Sequence, residues 1–208
     1  MLGSMSGMKI SAQKAAELLG VSRMQISRLA SAGEIKAERF GNALQVDLDS
    51  LHRYQDLRPG PGRPARPDLA WEILGDAKPR GLRDLHALAI AVRRRADRHE
   101  LRVLPGSLNR VLDDHRVVVS GAASAAHAGA AVQDRPPYDL YIRRSDYPAL
   151  IKEYRMRDSD EPNLIARVAP DDAWLFELGH HAPMIVSMVD MVDNRDDRSA
   201  SEALRAQA

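Results

Sequence analysis

The segment RPGPGRPARP at residues 58–67 constrains the fold of this chain more than any other part of its sequence. Proline or glycine occupies six of its ten positions, and its largest other apolar side chain is that of Ala65. Proline lacks an amide hydrogen and disfavours helix at the residue before it, so this run cannot continue a helix or a central strand. We therefore expect an extended linker that separates a domain at residues 9–57 from one at residues 68–208.

The formal net charge of +1 is the balance of two oppositely charged parts. Residues 1–66 contain ten Lys/Arg and six Asp/Glu, whereas residues 119–208 contain ten Lys/Arg and fifteen Asp/Glu. A basic front and an acidic back indicate two different binding tasks, of which the first suits an anionic partner.

Several classes of protein are excluded by what the sequence lacks. It has no cysteine, so disulfides, thiolate nucleophiles and cysteine-ligated metal sites are ruled out. No apolar run reaches the length of about 18 residues that a membrane span needs. The start MLGSMSGM does not have the pattern of a signal peptide. We expect a cytoplasmic protein with no membrane partner.

The basic front has the local signals of two short helices joined by a tight turn. Ser11 is a good N-cap for the first helix, and Gly20 suits the left-handed position at its end. Ser22 with Gln25 forms a capping-box pattern for a second helix that ends at Gly33. The apolar residues at helical spacing, which we expect to face inward, are Ala15, Leu18, Leu19, Ile26, Leu29 and Ala30.

A β-hairpin is predicted after these helices. Residues 35–40 and 44–48 alternate apolar and polar side chains on either side of residues 41–43, which is typical of a hairpin in the position of a wing. Asp49 or Ser50 can then cap a third helix.

The stretches AAELLGVSRMQISRLASAGEI and RFGNALQVDLDSL resemble the winged helix-turn-helix of the excisionase and MerR-like families. In such domains the second helix enters the major groove of double-stranded DNA, where Arg can pair with guanine and Gln with adenine. The resemblance implies that operator DNA is contacted by Ser22, Arg23, Met24, Gln25, Ser27 and Arg28, and at the wing by Arg39 and Asn42. A homodimer on two half-sites is expected, because one such domain binds weakly. The alternative is that Gln25 only caps its helix and the arginines are only solvated.

The linker offers one further DNA contact. Arg63 lies in a Gly-Arg-Pro sequence like that of minor-groove hooks, in which an extended arginine enters a narrow groove. The alternative is a plain spacer.

The middle of the chain is predicted to be mostly helical. Leu82, Leu85, Ala89, Val92 and Ala96 recur at helical spacing and predict an amphipathic helix of about four turns. The basic residues at its end, which we expect to form a solvated face or an accessory phosphate contact, are Arg93, Arg94, Arg95 and Arg98.

The acidic back is predicted to be an α/β domain with a small sheet. Residues 117–120, 138–142 and 164–168 have strand composition, and residues 145–154 and 183–192 have helix composition. With the N-terminal domain, this makes the chain an α+β protein. The neighbouring His180 and His181 are expected at a helix end, with a metal site as the alternative. Met184, Met188 and Met191 are expected in the core or in a groove for a partner.

The order of VVVS, SGAASAAHAG and DLYI is similar to the opening of nucleotidyltransferase-like domains. In those domains a Gly-containing element begins a helix near the phosphates, and the next strand carries Asp-x-Asp for two metal ions. Here Asp139 stands alone, with Tyr141 two residues after it and Pro137 two residues before it. We therefore expect a degenerate domain with no catalytic residue, no metal and no cofactor, in which Gly121 and Ser124 are structural.

The N-terminal pattern, the GRP linker, VVVSGAASAAHAG and APMIVSMVDMVDNRDDRSASEAL together resemble the AbiEi-type antitoxins of abortive-infection toxin–antitoxin pairs. Better-known members begin with a different type of winged helix, so their DNA-contact positions are not transferred. The resemblance implies a repressor of its own operon that opposes a nucleotidyltransferase-like toxin, which the acidic back would suit as a basic partner.

Two other functions fit parts of the pattern. One is an excisionase-like or MerR-like DNA-binding factor of a mobile element, without a toxin partner. The other is an active nucleotidyltransferase with a DNA-binding head, which would need a second carboxylate from elsewhere in the fold.

Overall fold

The computed structural model describes residues 8–41, 43–56 and 65–207, and the chain divides into two units, residues 1–58 and 59–208. The mixed α+β class predicted from the sequence is confirmed. Within the described ranges, the first unit has a three-stranded sheet and the second a five-stranded one. No helix in those ranges is both long and apolar enough to cross a membrane.

The first unit contains three helices and three short strands among its described residues. Its strands are β1 (Lys9–Ser11), β2 (Ala37–Phe40) and β3 (Ala43–Asp47), and its helices are α1 (Ala12–Leu19), α2 (Arg23–Ser31) and α3 (Leu48–Asp56). The sheet is antiparallel, with β3 between β1 and β2. Its core contains the fully buried side chains of Ala15, Ile26, Val46 and Leu51.

Local capping signals position the helices of this unit. The Ser11 hydroxyl accepts a hydrogen bond from the Lys14 amide at 3.2 Å, and the Ser22 hydroxyl accepts one from the Gln25 amide at 3.2 Å. Gly20 has φ 65°, the left-handed conformation in which glycine is least strained. These predicted caps are confirmed.

Two details of the first unit differ from the prediction. Leu18 is 41% exposed, because the buried stripe of α1 follows the spacing of Ala12, Ala15 and Leu19. The cap of α3 is Asp47, whose Oδ1 accepts from the Ser50 amide at 2.7 Å, and neither Asp49 nor Ser50. The helix therefore starts earlier than the pattern predicts.

The second unit folds around a mixed sheet with strand order β5-β6-β8-β4-β7. Strands β6 and β8 are parallel, and the other neighbouring pairs are antiparallel. The strands are β4 (Asp97–Arg102), β5 (Val117–Ser120), β6 (Tyr138–Arg143), β7 (Arg157–Asp158) and β8 (Leu164–Ala169). The helices are α4 (Pro67–Asp76), α5 (Leu82–Ala91), α6 (Pro105–Leu112), α7 (Gly121–His127), α8 (Tyr147–Tyr154), α9 (Met184–Asp193) and α10 (Asp197–Arg205), with a 3-10 turn at Trp174–Glu177.

Helix α9 is the centre of the helical layer. It contacts α5, α7 and α10, and it also contacts strand β5. Met188 and Met191 are buried, as the methionine spacing predicted, whereas Met184 is half-buried. The strands expected at residues 117–120, 138–142 and 164–168 are confirmed as β5, β6 and β8.

The middle of the chain differs most from the prediction. Helix α5 ends at Ala91 instead of continuing to Ala96, and strand β4 follows it. The sequence of β4, DRHELR, has few strand-forming residues, but its backbone pairs with β8 on one side and β7 on the other. Pro67, expected in the linker, is the first residue of α4, a position that tolerates its missing amide hydrogen.

Candidate nucleic-acid interface and buried ion cluster

Helix α2 has one buried face and one exposed face. Ile26 and Leu29 are buried in the core of the first unit. The predicted DNA-contact residues lie off that stripe and are exposed, with Ser27 half-buried: Ser22, Arg23, Met24, Gln25, Ser27 and Arg28. Met24 is 65% exposed, so it contributes little to the core.

The exposed face of α2 is cationic. Arg23 and Arg28 each carry a guanidinium group, Gln25 adds an amide, and the sequence RMQISRLAS has no acidic residue. The partial positive charge at the N-terminus of the helix adds to theirs. This combination can bind phosphates and donate to base edges in a major groove.

The other predicted contact residues lie on different elements. Arg39 is exposed on β2, next to the exposed Phe40. Lys9 forms an ion pair with Glu38 at 2.8 Å, and its ammonium group lies 5.9 Å from the centre of the Phe40 ring. Asn42 and Arg63 lie outside the described residues.

The second unit contains a buried ion cluster, which we define as Arg95, Arg167, Asp139, Asp190 and Asp193. Asp139 is on β6 and Arg167 on β8, Asp190 and Asp193 are on α9, and Arg95 follows α5. All five are buried, and Arg95 is only 1% exposed. The prediction that Arg95 lies on a solvated face is therefore wrong. The local sequence could not indicate its burial, because its partners on α9 are almost a hundred residues away in sequence.

Both carboxylate oxygens of Asp139 are engaged by neighbouring side chains. Arg167 donates from Nε to Oδ1 at 3.0 Å, and Asn194 donates from Nδ2 to Oδ2 at 2.6 Å. Arg167 also contacts Asp193, from Nη1 to Oδ2 at 3.0 Å. The backbone of Gly121 lies directly behind this carboxylate, since a Cβ there would be 2.8 Å from Oδ2.

Tyr141, which occupies the position of the second metal-binding carboxylate in the Asp-x-Asp pattern, belongs to the same network. Its hydroxyl accepts from Arg95 Nε at 2.8 Å and donates to Asp190 Oδ1 at 2.8 Å. Ser120 donates to the other oxygen of Asp190 at 2.5 Å. Arg95 also forms ion pairs with Asp190 and Asp193 through Nη2.

One tryptophan contacts the cluster's network, and a second packs against the first. Trp71 donates its indole hydrogen to the Arg95 carbonyl at 3.0 Å, and Trp174 donates to the Trp71 carbonyl at 2.7 Å. The Trp71 ring also packs edge-on against Tyr141, with 5.5 Å between ring centres. The Trp71 side chain therefore contacts the cluster's network directly, whereas Trp174 contacts Trp71.

The cluster has three carboxylates and two guanidinium groups, a formal charge of −1. Burial raises the pKa of Asp139 to about 6, although the charge of Arg167 opposes this shift. Burial also acts to raise the pKa of Asp193, but Arg95 and Arg167 outweigh it and lower that pKa. Burial raises the pKa of the Tyr141 hydroxyl. Protonation of Asp139 near pH 6 therefore makes the cluster neutral.

This arrangement brings acids from β6 and α9 together, but guanidinium groups lie between them. Arg167 bridges Asp139, Asp190 and Asp193, with contacts of 3.0 Å to each. Across the described parts of the chain, no group of three or more His, Asp or Glu is arranged to hold a metal ion. The observed geometry fits charge neutralisation by arginine.

The histidines near the end of the chain do not form the predicted pair at a helix end. His181 pairs with Val119 in an isolated β-bridge, and the carbonyl of His180 accepts from the Val119 amide at 2.8 Å. The ring of His181 stacks on that of His127, with 3.8 Å between centres and 2° between planes. Backbone pairing with β5, which the local sequence does not indicate, fixes this position.

Three uncharacterized mycobacterial proteins are similar to this chain: Mb2337 of Mycobacterium bovis, and MT2372 and Rv2310 of Mycobacterium tuberculosis. Each is 37% identical over 95 residues, which are 44% of this chain and 82% of the relative. This chain belongs to their family. No protein-family model matches it, and no solved structure matches it.

A candidate antitoxin, VapB50 of Mycobacterium tuberculosis, is a further relative. It is 36% identical over 69 residues, which are 33% of this chain and 53% of VapB50. Both kinds of match are longer than the 58 residues of the first unit. Neither likeness is therefore confined to the unit that carries α2.

Proposed function

We propose that this protein is an antitoxin that represses its own operon, with the first unit binding operator DNA and the second opposing a toxin. The observation that carries this proposal is the exposed cationic face of α2, formed by Arg23, Gln25 and Arg28. A nine-residue helix with a buried apolar stripe and two arginines opposite to it has the composition of a major-groove reader.

The likeness to VapB50 supports the antitoxin part of the proposal. Because that match is longer than the first unit, the shared sequence includes part of the second unit. We infer that the toxin is of the nucleotidyltransferase type from the resemblance of the sequence to AbiEi-type antitoxins.

We also propose that the second unit is not an enzyme. Both oxygens of Asp139 already accept hydrogen bonds from Arg167 and Asn194. Binding a cation there would require Arg167 to leave a fully buried set of ion pairs, which is costly. A test is to incubate the protein with labelled nucleotides and Mg²⁺ or Mn²⁺. Nucleotide transfer that disappears in Asp139→Ala would contradict this part of the proposal.

DNA binding can be tested by fluorescence anisotropy with the duplex upstream of the protein's own gene, over a range of salt concentrations. The variant Arg23→Ala/Arg28→Ala should lose specific binding, and the slope of log K against log salt should fall by about 2 if both residues contact phosphates. Full, salt-sensitive binding by this variant would refute the assignment of α2.

The matched control removes the same charge from the second unit. Arg102 and Arg144 are exposed and form surface ion pairs with Glu161 and Asp97. The variant Arg102→Ala/Arg144→Ala should bind the duplex as the wild type does, because surface ion pairs contribute little to folding. Equal losses in both double variants would indicate a net-charge effect and no specific interface.

The antitoxin function can be tested in cells that express the toxin encoded beside this gene. Co-expression of the wild type should restore growth, and Arg23→Ala/Arg28→Ala should restore it equally from an independent promoter. Equal rescue would show that the protein opposes the toxin without the α2 arginines, and therefore separately from repression of the operon. Growth arrest despite full expression of the wild type would contradict the antitoxin proposal.

A further inference from the structure

The second unit has a cavity of about 480 Å³ that Asp139 lines, whereas the ion cluster's other acids, Asp190 and Asp193, do not. The cavity is lined by the start of α7, by the segment before β6 and by the junction of α9 and α10. Its volume is within the range of sites for small molecules. Three arginines line it: Arg135, Arg195 and Arg198.

The carboxylates that line the same cavity are all engaged by protein groups. Asp139 accepts from Arg167 and Asn194, as described above. Asp196 caps α10 by accepting from the Ser199 amide at 3.1 Å, and Glu202 pairs with Arg205 at 2.7 Å. Their negative charge is therefore largely directed at protein partners.

Two of the three arginines of the cavity differ from these acids. Among the described residues, the guanidinium groups of Arg135 and Arg198 form no hydrogen bond or ion pair, and both side chains are exposed. Arg195 lines the same cavity at φ 63° and follows Asn194, the C-cap residue of α9. Glycine is preferred at such a left-handed position, so an arginine there lowers the stability of the folded unit.

We propose that this cavity binds a small phosphate-bearing molecule through Arg135, Arg195 and Arg198. The planar guanidinium group matches two phosphate oxygens at once, and three of them suit a ligand with more than one negative charge. The proposal is independent of DNA binding by the first unit. It adds a small-molecule site to the unit that is otherwise proposed to oppose a toxin.

The experiment uses the full chain, isothermal titration calorimetry and thermal unfolding, with EDTA present. The probes are ATP and inorganic triphosphate, with sulfate at equal ionic strength as the control anion. We expect saturable binding of ATP or triphosphate at one site and a rise in the melting temperature, neither of which sulfate produces. Tighter binding of ATP than of triphosphate would identify a nucleotide as the ligand, and equal binding would identify the phosphate chain alone. Absence of binding by both probes would overturn the proposal.

The variant Arg195→Gly separates binding from stability. It removes a guanidinium group and relieves a left-handed arginine, so we expect at least tenfold weaker binding together with a higher melting temperature of the unliganded protein. Arg155 ends α8 in the same left-handed conformation, at φ 52°, and does not line the cavity. Arg155→Gly should raise the melting temperature and leave binding unchanged.

A second pair of variants locates the bound molecule. Arg135→Ala/Arg198→Ala should weaken binding of the probes, whereas Arg23→Ala/Arg28→Ala should leave it unchanged. The opposite result would place the phosphate on α2 and overturn the proposal for the cavity. Unchanged binding in both Arg195→Gly and Arg135→Ala/Arg198→Ala would overturn it as well.

Discussion

Arg167 on β8 donates from Nε to Oδ1 of Asp139 on the parallel neighbouring strand β6, at 3.0 Å. Both side chains are buried, and Arg167 extends past Asp139 to reach Asp193 on α9. A single guanidinium group thus connects two strands of the sheet to the central helix. Such a buried bridge determines how these three elements fit together, because either partner alone would be an uncompensated charge.

Removing this guanidinium group is expected to destabilise the second unit strongly. In Arg167→Met the packing volume is largely kept, but Asp139, Asp190 and Asp193 lose a shared cation. Loss of one partner of a buried ion pair typically costs about 3–5 kcal/mol. Urea denaturation followed by circular dichroism would measure the loss of unfolding free energy.

The control for this variant is an arginine in an exposed pair. Arg144 pairs with Asp97 at 3.0 Å, with both side chains more than half exposed. Arg144→Met should cost less than about 1 kcal/mol. A similar loss in both variants would contradict a special role of the buried cluster.

The raised pKa of Asp139 has a defined effect on stability. Because the pKa in the folded state, about 6, is above the ordinary value of 3.8 for an aspartate, the folded protein holds a proton more tightly than the unfolded chain. This contribution is complete below pH 3.8 and is lost as the pH rises through 6. Its size is on the order of 3 kcal/mol.

The variant Asp139→Asn isolates that contribution. We expect the unfolding free energy of the wild type, minus that of the variant, to decrease between pH 4 and pH 7. The slope of this difference is the relevant measurement, since the substitution also alters the absolute stability. A flat or rising difference would show that Asp139 stays ionised throughout this range.

The sequence predicts the first unit well, because the signals that define it are local. Ser11, Gly20 and Ser22 act on backbone groups within three residues of themselves, and the structure has them in those roles. The exception is Leu18, which is exposed although the neighbouring Leu19 is buried. One position along a helix is a rotation of about 100°, which is enough to move a side chain from the core to the surface.

The buried ion cluster cannot be predicted in the same way, because its members come from β6, β8, α9 and the segment between α5 and β4. Arg95 has the sequence context of a basic surface run, and only the distant Asp190 and Asp193 explain its burial. A usable signal is nevertheless present. Arg167 is the one charged residue in LIARVA, and Asp190 and Asp193 are the two in MIVSMVDMVD. Charged residues within such apolar runs are seldom buried without a partner.

The cluster also changes the meaning of the charge asymmetry. Of the fifteen acidic and ten basic residues at 119–208, three aspartates and Arg167 are buried. Twelve acidic and nine basic residues remain, so the excess outside the cluster is −3 and not −5. The surface of this part of the chain is therefore less acidic than its composition suggests.

The close approach of Gly121 to Asp139 gives a prediction that compares two glycines. Gly121→Ala places a Cβ 2.8 Å from Asp139 Oδ2 in a left-handed backbone at φ 63°, whereas Gly129→Ala at φ 91° meets nothing within 4 Å. The second change should cost about 1 kcal/mol from backbone strain alone. The first should cost about 3 kcal/mol, because it also displaces the carboxylate.

Thermal or urea unfolding of the two variants would measure this difference. Near-equal losses would mean that Asp139 can move away from Gly121 at little cost. Combining Gly121→Ala with Asp139→Ala should then recover part of the loss, because the second change removes the atoms that the new Cβ meets.

The stacked histidines predict a loss of stability in mild acid. Burial, with the charges of His127 and His180, lowers the pKa of His181, although Asp134 opposes the shift. The folded state therefore binds this proton less tightly than the unfolded chain does. The resulting contribution to the unfolding free energy is fully present above pH 6.5, the ordinary pKa of a histidine, and it decreases as the pH falls below that value. The His127 ring that contributes to this shift is the one on which His181 stacks, with 3.8 Å between ring centres.

Replacement of His181 by Gln should remove this part of the pH dependence, seen as a smaller drop in melting temperature between pH 7.5 and pH 5.5. His115 serves as the control, because its side chain is 91% exposed. His115→Gln should keep the drop of the wild type. The prediction fails if His181→Gln loses as much stability in acid as the wild type does.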